Sequence, residues 1–224
     1  MADQRFYVYV VESPSSRDLL DRGLEGRVLT EALALSGIDF VYNVATDEET
    51  LVECLFTRFD ETLQSDGYVR LPILHISAHG SNNGLQLTNK SFISWEVLKN
   101  RISAVNAMLG STLIVCVSAC YGSFAVRLAI SDEASPFYAL VGPSDNVALS
   151  DLAVAYSSFY HVLRKTWDLT VAHQAMVAAS GNNTFQLHMG EQVRQGFKDW
   201  RLQQRTKDLL ETLQKTQEQG SAEE

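Results

Sequence analysis

The feature that most constrains this chain is an alternation of two periodicities. Short runs that are apolar at nearly every position are separated by longer segments whose apolar residues recur every three or four positions. A run without polar alternation fits a strand covered on both faces, and such strands alternate with helices in parallel sheets. The runs are 6–11 (FYVYVV), 38–44 (IDFVYNV), 71–77 (LPILHIS), 112–118 (TLIVCVS) and 137–141 (FYALV). Pro72 falls near the start of the third, where a missing N–H is tolerated.

Between the runs the spacing predicts helices. One is capped by Ser16 and covers about 17–35, with Leu19, Leu20, Leu24, Val28, Leu29, Ala32 and Leu33 as its apolar stripe and Gly37 at its end. Thr46 and Glu49 have capping-box spacing and open a second, reaching about residue 63. Others are expected over about 94–105, 123–130, 150–164 and 169–179, and residues 85–87 and 92–94 read as a small hairpin. Right-handed crossovers place the helices on both faces of the sheet. The segment 190–219 is polar, with a weak apolar face at Phe197, Trp200, Leu202, Leu209, Leu210 and Leu213. It reads as a C-terminal helix docked at its start, followed by a disordered Gly-Ser-Ala-Glu-Glu. The expected organisation is one α/β domain over 1–189, with a mainly parallel sheet, and a helical extension over 190–224.

Composition narrows the setting. Acidic residues outnumber basic ones, 27 to 18, for a formal charge of -9. Non-specific binding to nucleic acid or anionic lipid needs a positive surface, so neither is an expected partner. No window reaches ~18 uninterrupted apolar residues, and the amino-terminal stretch has no signal-peptide pattern. Three cysteines, Cys54, Cys116 and Cys120, are too few and too odd for a disulfide scaffold. A reducing, cytoplasmic compartment is the expectation.

In doubly wound sheets ligands sit beyond the carboxyl ends of the strands. Glu12-Ser13-Pro14 follows the first run, Ala78-His79-Gly80-Ser81 the third, Ala119-Cys120-Tyr121-Gly122 the fourth, and Gly142-Pro143-Ser144-Asp145 the fifth. A cysteine attacks as thiolate, and an imidazole can take its proton. Cys120 stands between a strand and a predicted helix, where free backbone N–H groups stabilise negative charge. The amides of Gly80 and Cys120 together suit an oxyanion hole. Taken singly, a His beside Gly is ordinarily a turn residue and a Cys at a strand end is ordinarily core filling. Cys116 and Cys54 fit that ordinary reading. The pairing of the two motifs on consecutive core strands is what favours chemistry.

Leu-His-Ile-Ser-Ala-His79-Gly80 and Leu-Ile-Val-Cys-Val-Ser-Ala-Cys120-Tyr-Gly resemble the catalytic blocks of the caspase-like cysteine peptidases, and the Ser-Ala-His-Gly wording is closest to the bacterial CHAT domains. Downstream, Leu140-Val141-Gly-Pro-Ser-Asp-Asn, Asp151, Phe159-Tyr160 and the Ala-rich 172–179 are similar to the CHAT pattern, so the resemblance spans roughly 5–180. It implies a caspase-like peptidase domain over 1–189 and a Cys120–His79 dyad with no third residue. It also implies no cofactor, and a specificity pocket built from 12–17, Ser118 and 144–146. Asp145 is then a candidate for pairing with a substrate Arg or Lys, and Arg17 for the opposite preference. The expected activity is an endopeptidase cleaving a protein partner, gated by another subunit in a signalling or defence complex. The alternative is a catalytically silent scaffold of the same fold. A zinc site at His75 and His79 is not expected, since they sit on a strand with no third ligand. A nucleotide-binding domain is disfavoured, because no Gly-rich loop with Lys follows the first strand.

Overall fold

The structure, a computed structural model, describes residues 5–129 and 134–220, with side chains described for all of these except 127–129 and 208–220. The five apolar runs form the strands β1 (Phe6–Ser13), β2 (Phe40–Val44), β3 (Leu71–Ser81), β6 (Ile114–Ser118) and β7 (Ala139–Pro143). β4 (Gly84–Gln86) and β5 (Phe92–Ser94) are the expected hairpin, and β4 pairs antiparallel with the end of β3. The main order is β2-β1-β3-β6-β7-β8, parallel throughout except for β8 (Phe185–Met189), which runs antiparallel to β7 at one edge. Caspase-like α/β architecture, with helices on both faces, is what the sequence led one to expect. β8 was not foreseen, because Phe-Gln-Leu-His-Met is short and lies directly against the C-terminal helix.

Each face of the sheet has its own core. Tyr7, Tyr9, Val11, Leu74, Ile76, Val115, Val117 and Leu140 point to one side. They are covered by α3 (Glu48–Leu55), α4 (Thr57–Asp66) and α5 (Trp95–Met108). Val8, Val10, Ile73, Ile114, Cys116, Ala139 and Val141 point to the other, under α2 (Glu25–Leu35), α6 (Leu149–Thr166) and α7 (Leu169–Ser180). Burying each such side chain contributes roughly 1.5–3 kcal/mol, which is why both sides of the runs had to be apolar.

Two predicted helices are broken in two. Residues 17–35 form α1 (Ser16–Asp21) and α2, separated where Arg22 turns left-handed at φ 59°. The break changes the phase of the helix. Leu19, Leu20 and Val28 are exposed, while Glu25, Leu29 and Leu33, four apart, face inward. Ser15 rather than Ser16 caps α1, in a box closed by Asp18. Likewise Asp47 and Thr50, not Thr46 and Glu49, cap α3, and Phe56 interrupts the expected continuation into α4. The segment after Cys120 is a 3-10 helix, Gly122–Ala129, and the expected end at Ile130 lies outside the described residues. α8 (Gly190–Gly220) is the C-terminal helix; it packs on β8 and the 3-10 helix at its start. The disorder expected of the last residues concerns, from Ser221 on, positions outside the described residues.

Candidate active site

The site is built on the sheet face under α2 and α6. Along that face Val10, His75, Cys116 and Val141 are neighbours in register, and two residues further on stand Glu12, Ser77 and Ser118. The same face therefore changes from apolar to polar at the carboxyl ends of β1, β3 and β6. That edge includes the switch point between β1 and β3, where a doubly wound sheet holds its ligands. A cavity of about 170 Å³ opens there, lined by Glu12, Ser13, Pro14, Asp18, Gly23, Glu25, Ser77, Ala78, His79, Ser118, Ala119, Cys120, Val147, Leu149 and Leu152. His79 and Cys120, paired from sequence, thus share one cavity wall.

Each is held by identifiable forces. β3 is four residues longer than its apolar run, and His79, Gly80 and Ser81 pair with Gln86, Leu85 and Gly84. The imidazole is half exposed, and its Nε2 lies 2.8 Å from Asp18 Oδ2. Asp18 is fixed in turn by the cap of α1: its Oδ2 accepts from Ser15 N at 2.8 Å, and its own N–H donates to Ser15 Oγ. Burial by itself would raise the Asp18 pKa, but the hydrogen bonds from Ser15 and His79 outweigh it and hold the carboxyl below its ordinary value. An ionised Asp18 puts the proton of His79 on Nε2 and leaves Nδ1 for acid–base work. Where the sequence pointed to no third residue, the structure sets Asp18 against His79. Its signal was Ser15-x-x-Asp18, a capping spacing one residue away from the predicted cap.

Cys120 sits in a tight turn in which Gly122 N donates to Ala119 O at 2.9 Å and Tyr121 N to Asp145 O at 3.1 Å. Tyr121 has φ 58°, a left-handed conformation that costs a non-glycine residue on the order of 1–2 kcal/mol. A Cβ on Gly122 would strike the Val117 carbonyl, so that glycine is required by space. Gly80 stands directly against the Cys120 carbonyl, which leaves no room for a side chain. Cys120 Sγ is partly exposed and lies 3.9 Å from Val147 O. Among the described residues no hydrogen bond joins the thiol to His79.

The remaining candidates divide. Ser118 lines the cavity, fully buried, with its Oγ lacking a hydrogen-bond partner. Asp145 is not brought to the cavity wall; its Oδ1 accepts from the N–H of the next residue, Asn146, at 2.7 Å, and its side chain also bonds Tyr121. Arg17 points into solvent beside Asp21. The cavity wall also holds two buried carboxylates, Glu12, which lies within the expected 12–17, and Glu25, which the sequence did not point to. Among the described residues no cluster of His, Cys, Asp and Glu suits a metal ion. No helix among them is long and apolar enough to cross a membrane.

The sequence matches no family model and no curated protein. Among solved structures, the fold is similar to that of a secreted C11 cysteine protease from Bacteroides thetaiotaomicron, determined in complex with an irreversible peptide inhibitor. The TM-score is 0.56 at 10% identity, over 85% of this chain and 68% of that one. At that identity the likeness establishes the caspase-like fold.

Proposed function

We propose that this chain is a cysteine endopeptidase of the CHAT type that cleaves a protein partner through Cys120 and His79. One observation carries the reading. The thiol and an imidazole oriented by a carboxylate converge on one cavity at the carboxyl edge of a sheet whose fold is that of a known cysteine protease. In the proposed reaction Cys120 Sγ gives its proton to His79 and attacks the peptide carbonyl carbon. The C–N bond breaks as His79 protonates the leaving amine. The resulting thioester is attacked by water, whose proton goes to His79, and the acid is released with the thiol restored. Asp18 keeps the imidazole in the tautomer this cycle needs, and the amides of Gly80 and Cys120 face the developing oxyanion.

Gating by another subunit, in a signalling or defence complex, belongs to the same proposal. The exposed Trp200 on α8, stacked on Phe197 one turn earlier, supports it, since a helix whose apolar residues face water has a face for a partner. The alternative, a silent scaffold, is favoured by the direction of the thiol, which is turned toward Val147 O rather than His79.

A peptidyl acyloxymethyl ketone separates the two. The enzyme reading expects covalent labelling at Cys120 in the wild type and in Cys116→Ala, none in Cys120→Ala, and a loss of roughly 10²–10⁴-fold in rate in His79→Ala. Uniform, slow labelling of all three cysteines would establish the scaffold instead.

A further inference from the structure

One side of the sheet ends on β2, and that edge is open. Among the described residues β1 is the one strand that pairs with it. Val8 N donates to Asp39 O and Ala45 N to Glu12 O, at the two ends of the parallel ladder. With Phe40 opposite Val8 in register, Val41 and Asn43 turn their backbone groups to β1. Phe40, Tyr42 and Val44 turn theirs outward: an N–H and a C=O on each of three residues, six groups in a row. Edges of this kind are usually blunted by lysine, proline, a bulge or a covering loop. Residues 40–44 (FVYNV) hold no charged residue, no proline and no glycine, in a chain of formal charge -9. Phe40 and Val44 are exposed, at 37% and 41%. On the opposite face a groove of about 500 Å³ lies between Val41 and Asn43 and the α4 residues Thr57, Glu61, Thr62 and Ser65, so the helix stands back from the edge. The other end of the sheet differs. There His173 Nε2 donates at 3.0 Å to Phe185 O, one of the carbonyls that β8 turns away from β7.

We propose that β2 is the interface with a second copy of this chain, joined antiparallel across a two-fold axis at Tyr42 so that the two sheets become one. The register follows from the outward groups. Tyr42 opposite the partner's Tyr42, and Phe40 and Val44 opposite the partner's Val44 and the partner's Phe40, give hydrogen-bonded pairs that satisfy every outward group on both strands. A two-fold axis normal to the sheet also keeps each face with its like. Phe40 then lies against the partner's Val44, an aromatic beside a β-branched residue, and the axis makes this contact twice. The groove on the other face leaves room for the side chains of the added strand. No like charges meet along these positions, although the chain as a whole is acidic. Tyr42 is already fixed, its hydroxyl donating to Glu12 Oε2 at 2.6 Å, so pairing removes little of its side-chain freedom. An isologous contact needs a patch complementary to itself, and this one is so in hydrogen bonds, in face and in charge. Two five-residue strands make a small contact against the ~1,200–2,000 Å² of a stable interface, so the dimer is a weak one, expected at roughly 10–100 µM chain.

The proposal is independent of the peptidase reading, and its test reads association alone. Sedimentation velocity of the full chain from about 5 to 500 µM should show a reversible rise toward twice the chain mass of 24.9 kDa. Phe40→Lys and Val44→Glu should each weaken association roughly 10–30-fold, because the two-fold axis counts each lost pair twice. The double variant Phe40→Lys/Val44→Glu should recover most of that loss. Positions 40 and 44 face each other between copies, whereas within one strand they stand about 13 Å apart. Amide hydrogen exchange read by NMR is a second measurement and needs no variant. The N–H groups of Phe40, Tyr42 and Val44 should gain protection as concentration rises, while those of Val41 and Asn43 are protected throughout. A wild type that is monomeric over this range overturns the proposal. So does a dimer indifferent to both single variants, or one whose concentration-dependent protection falls on β8 instead of β2. If the chain stays monomeric and these amides gain protection only on adding the extended peptide Val-Thr-Val-Thr-Val, the edge belongs to a foreign strand and the second copy is refuted.

Discussion

The closest approach in the site makes a quantitative expectation for Gly80→Ala. A methyl group there would collide with the Cys120 carbonyl oxygen and stand 2.9 Å from Ala119 Cβ and 3.1 Å from the Cys120 carbonyl carbon. Comfortable carbon contacts lie near 3.5–4.0 Å, so one side must give by roughly 1 Å. β3 is fixed between β1 and β6, and its end is paired with β4. The loop 119–121 is tied by the two backbone hydrogen bonds of its turn, so it is the part that moves. Overpacking of this kind costs about 1–3 kcal/mol. A 1 Å misplacement of a reacting group costs on the order of 100-fold in rate. Gly80→Ala is therefore expected to remain folded, with a lowered unfolding midpoint, and to lose about 100-fold in labelling of Cys120 by the peptidyl acyloxymethyl ketone. Carbamidomethylation, which needs only an accessible thiol, should persist. Gly196→Ala is the matched control: nothing lies within 4 Å of its Cβ, and alanine gains about 0.8–1.0 kcal/mol in a helix. A Gly80→Ala protein with wild-type ketone kinetics would refute the claim that this contact sets the position of Cys120.

Three further outcomes are expected. Asp18→Asn keeps an acceptor for the α1 cap but removes the charge facing His79; because Asp18 is partly solvated, ketone labelling should fall by roughly 10–100-fold, less than the ~10⁴ of a fully buried triad acid. In the native state a thiol reagent at pH 8 should modify Cys120 alone, since full burial pushes Cys116 up to about 12 and burial also raises Cys54; modification of Cys116 before unfolding would contradict the core assignment. Burial raises Glu12 above its ordinary 4.5, only partly countered by Tyr42 and Gly26, so the folded state holds this proton more tightly than the unfolded one. Stability from Glu12 is then greatest at low pH and lost as pH rises from 4.5 through the folded value. Asp18, lowered from 3.8, acts in the opposite sense: its stability is present above 3.8 and lost as pH falls through its folded value. Urea midpoints of wild type and Glu12→Gln measured from pH 4.5 to 7 should diverge in favour of the variant as pH rises, and the reverse trend would sink this account.

How much of this was legible in the sequence depends on what each residue answers to. The strands β1, β3, β6 and β7 were readable because burial on both faces forces unbroken apolar runs. His79 and Cys120 were readable because both follow such a run directly. Asp18 and Glu25 were not, because a single helix was drawn where two exist. Arg22 in the left-handed region shifts the phase by a fraction of a turn, and the drawn stripe then includes Leu20 and Val28, which face solvent. A trace was present in the spacing Glu25-Leu29-Leu33, which puts a carboxylate on the same face as two core leucines. Asp145 was chosen for its place after β7, and its side chain is taken up by Asn146 N and by Tyr121 instead. β8 is a strand because β7 has an open edge, a reason that lies outside its own five residues.

That last strand has a consequence for regulation. By reversing direction against β7 it returns the chain to the amino edge, where Gly190 N bonds Tyr138 O and α8 begins. The cavity is at the carboxyl edge, a full strand length away. A partner seated only on the start of α8 would lie across the sheet from the cavity mouth. Its mechanical connection to the thiol is the 3-10 helix, which touches α8 and starts two residues after Cys120. The gate of such an enzyme would be a push-rod behind the nucleophile rather than a lid in front of it.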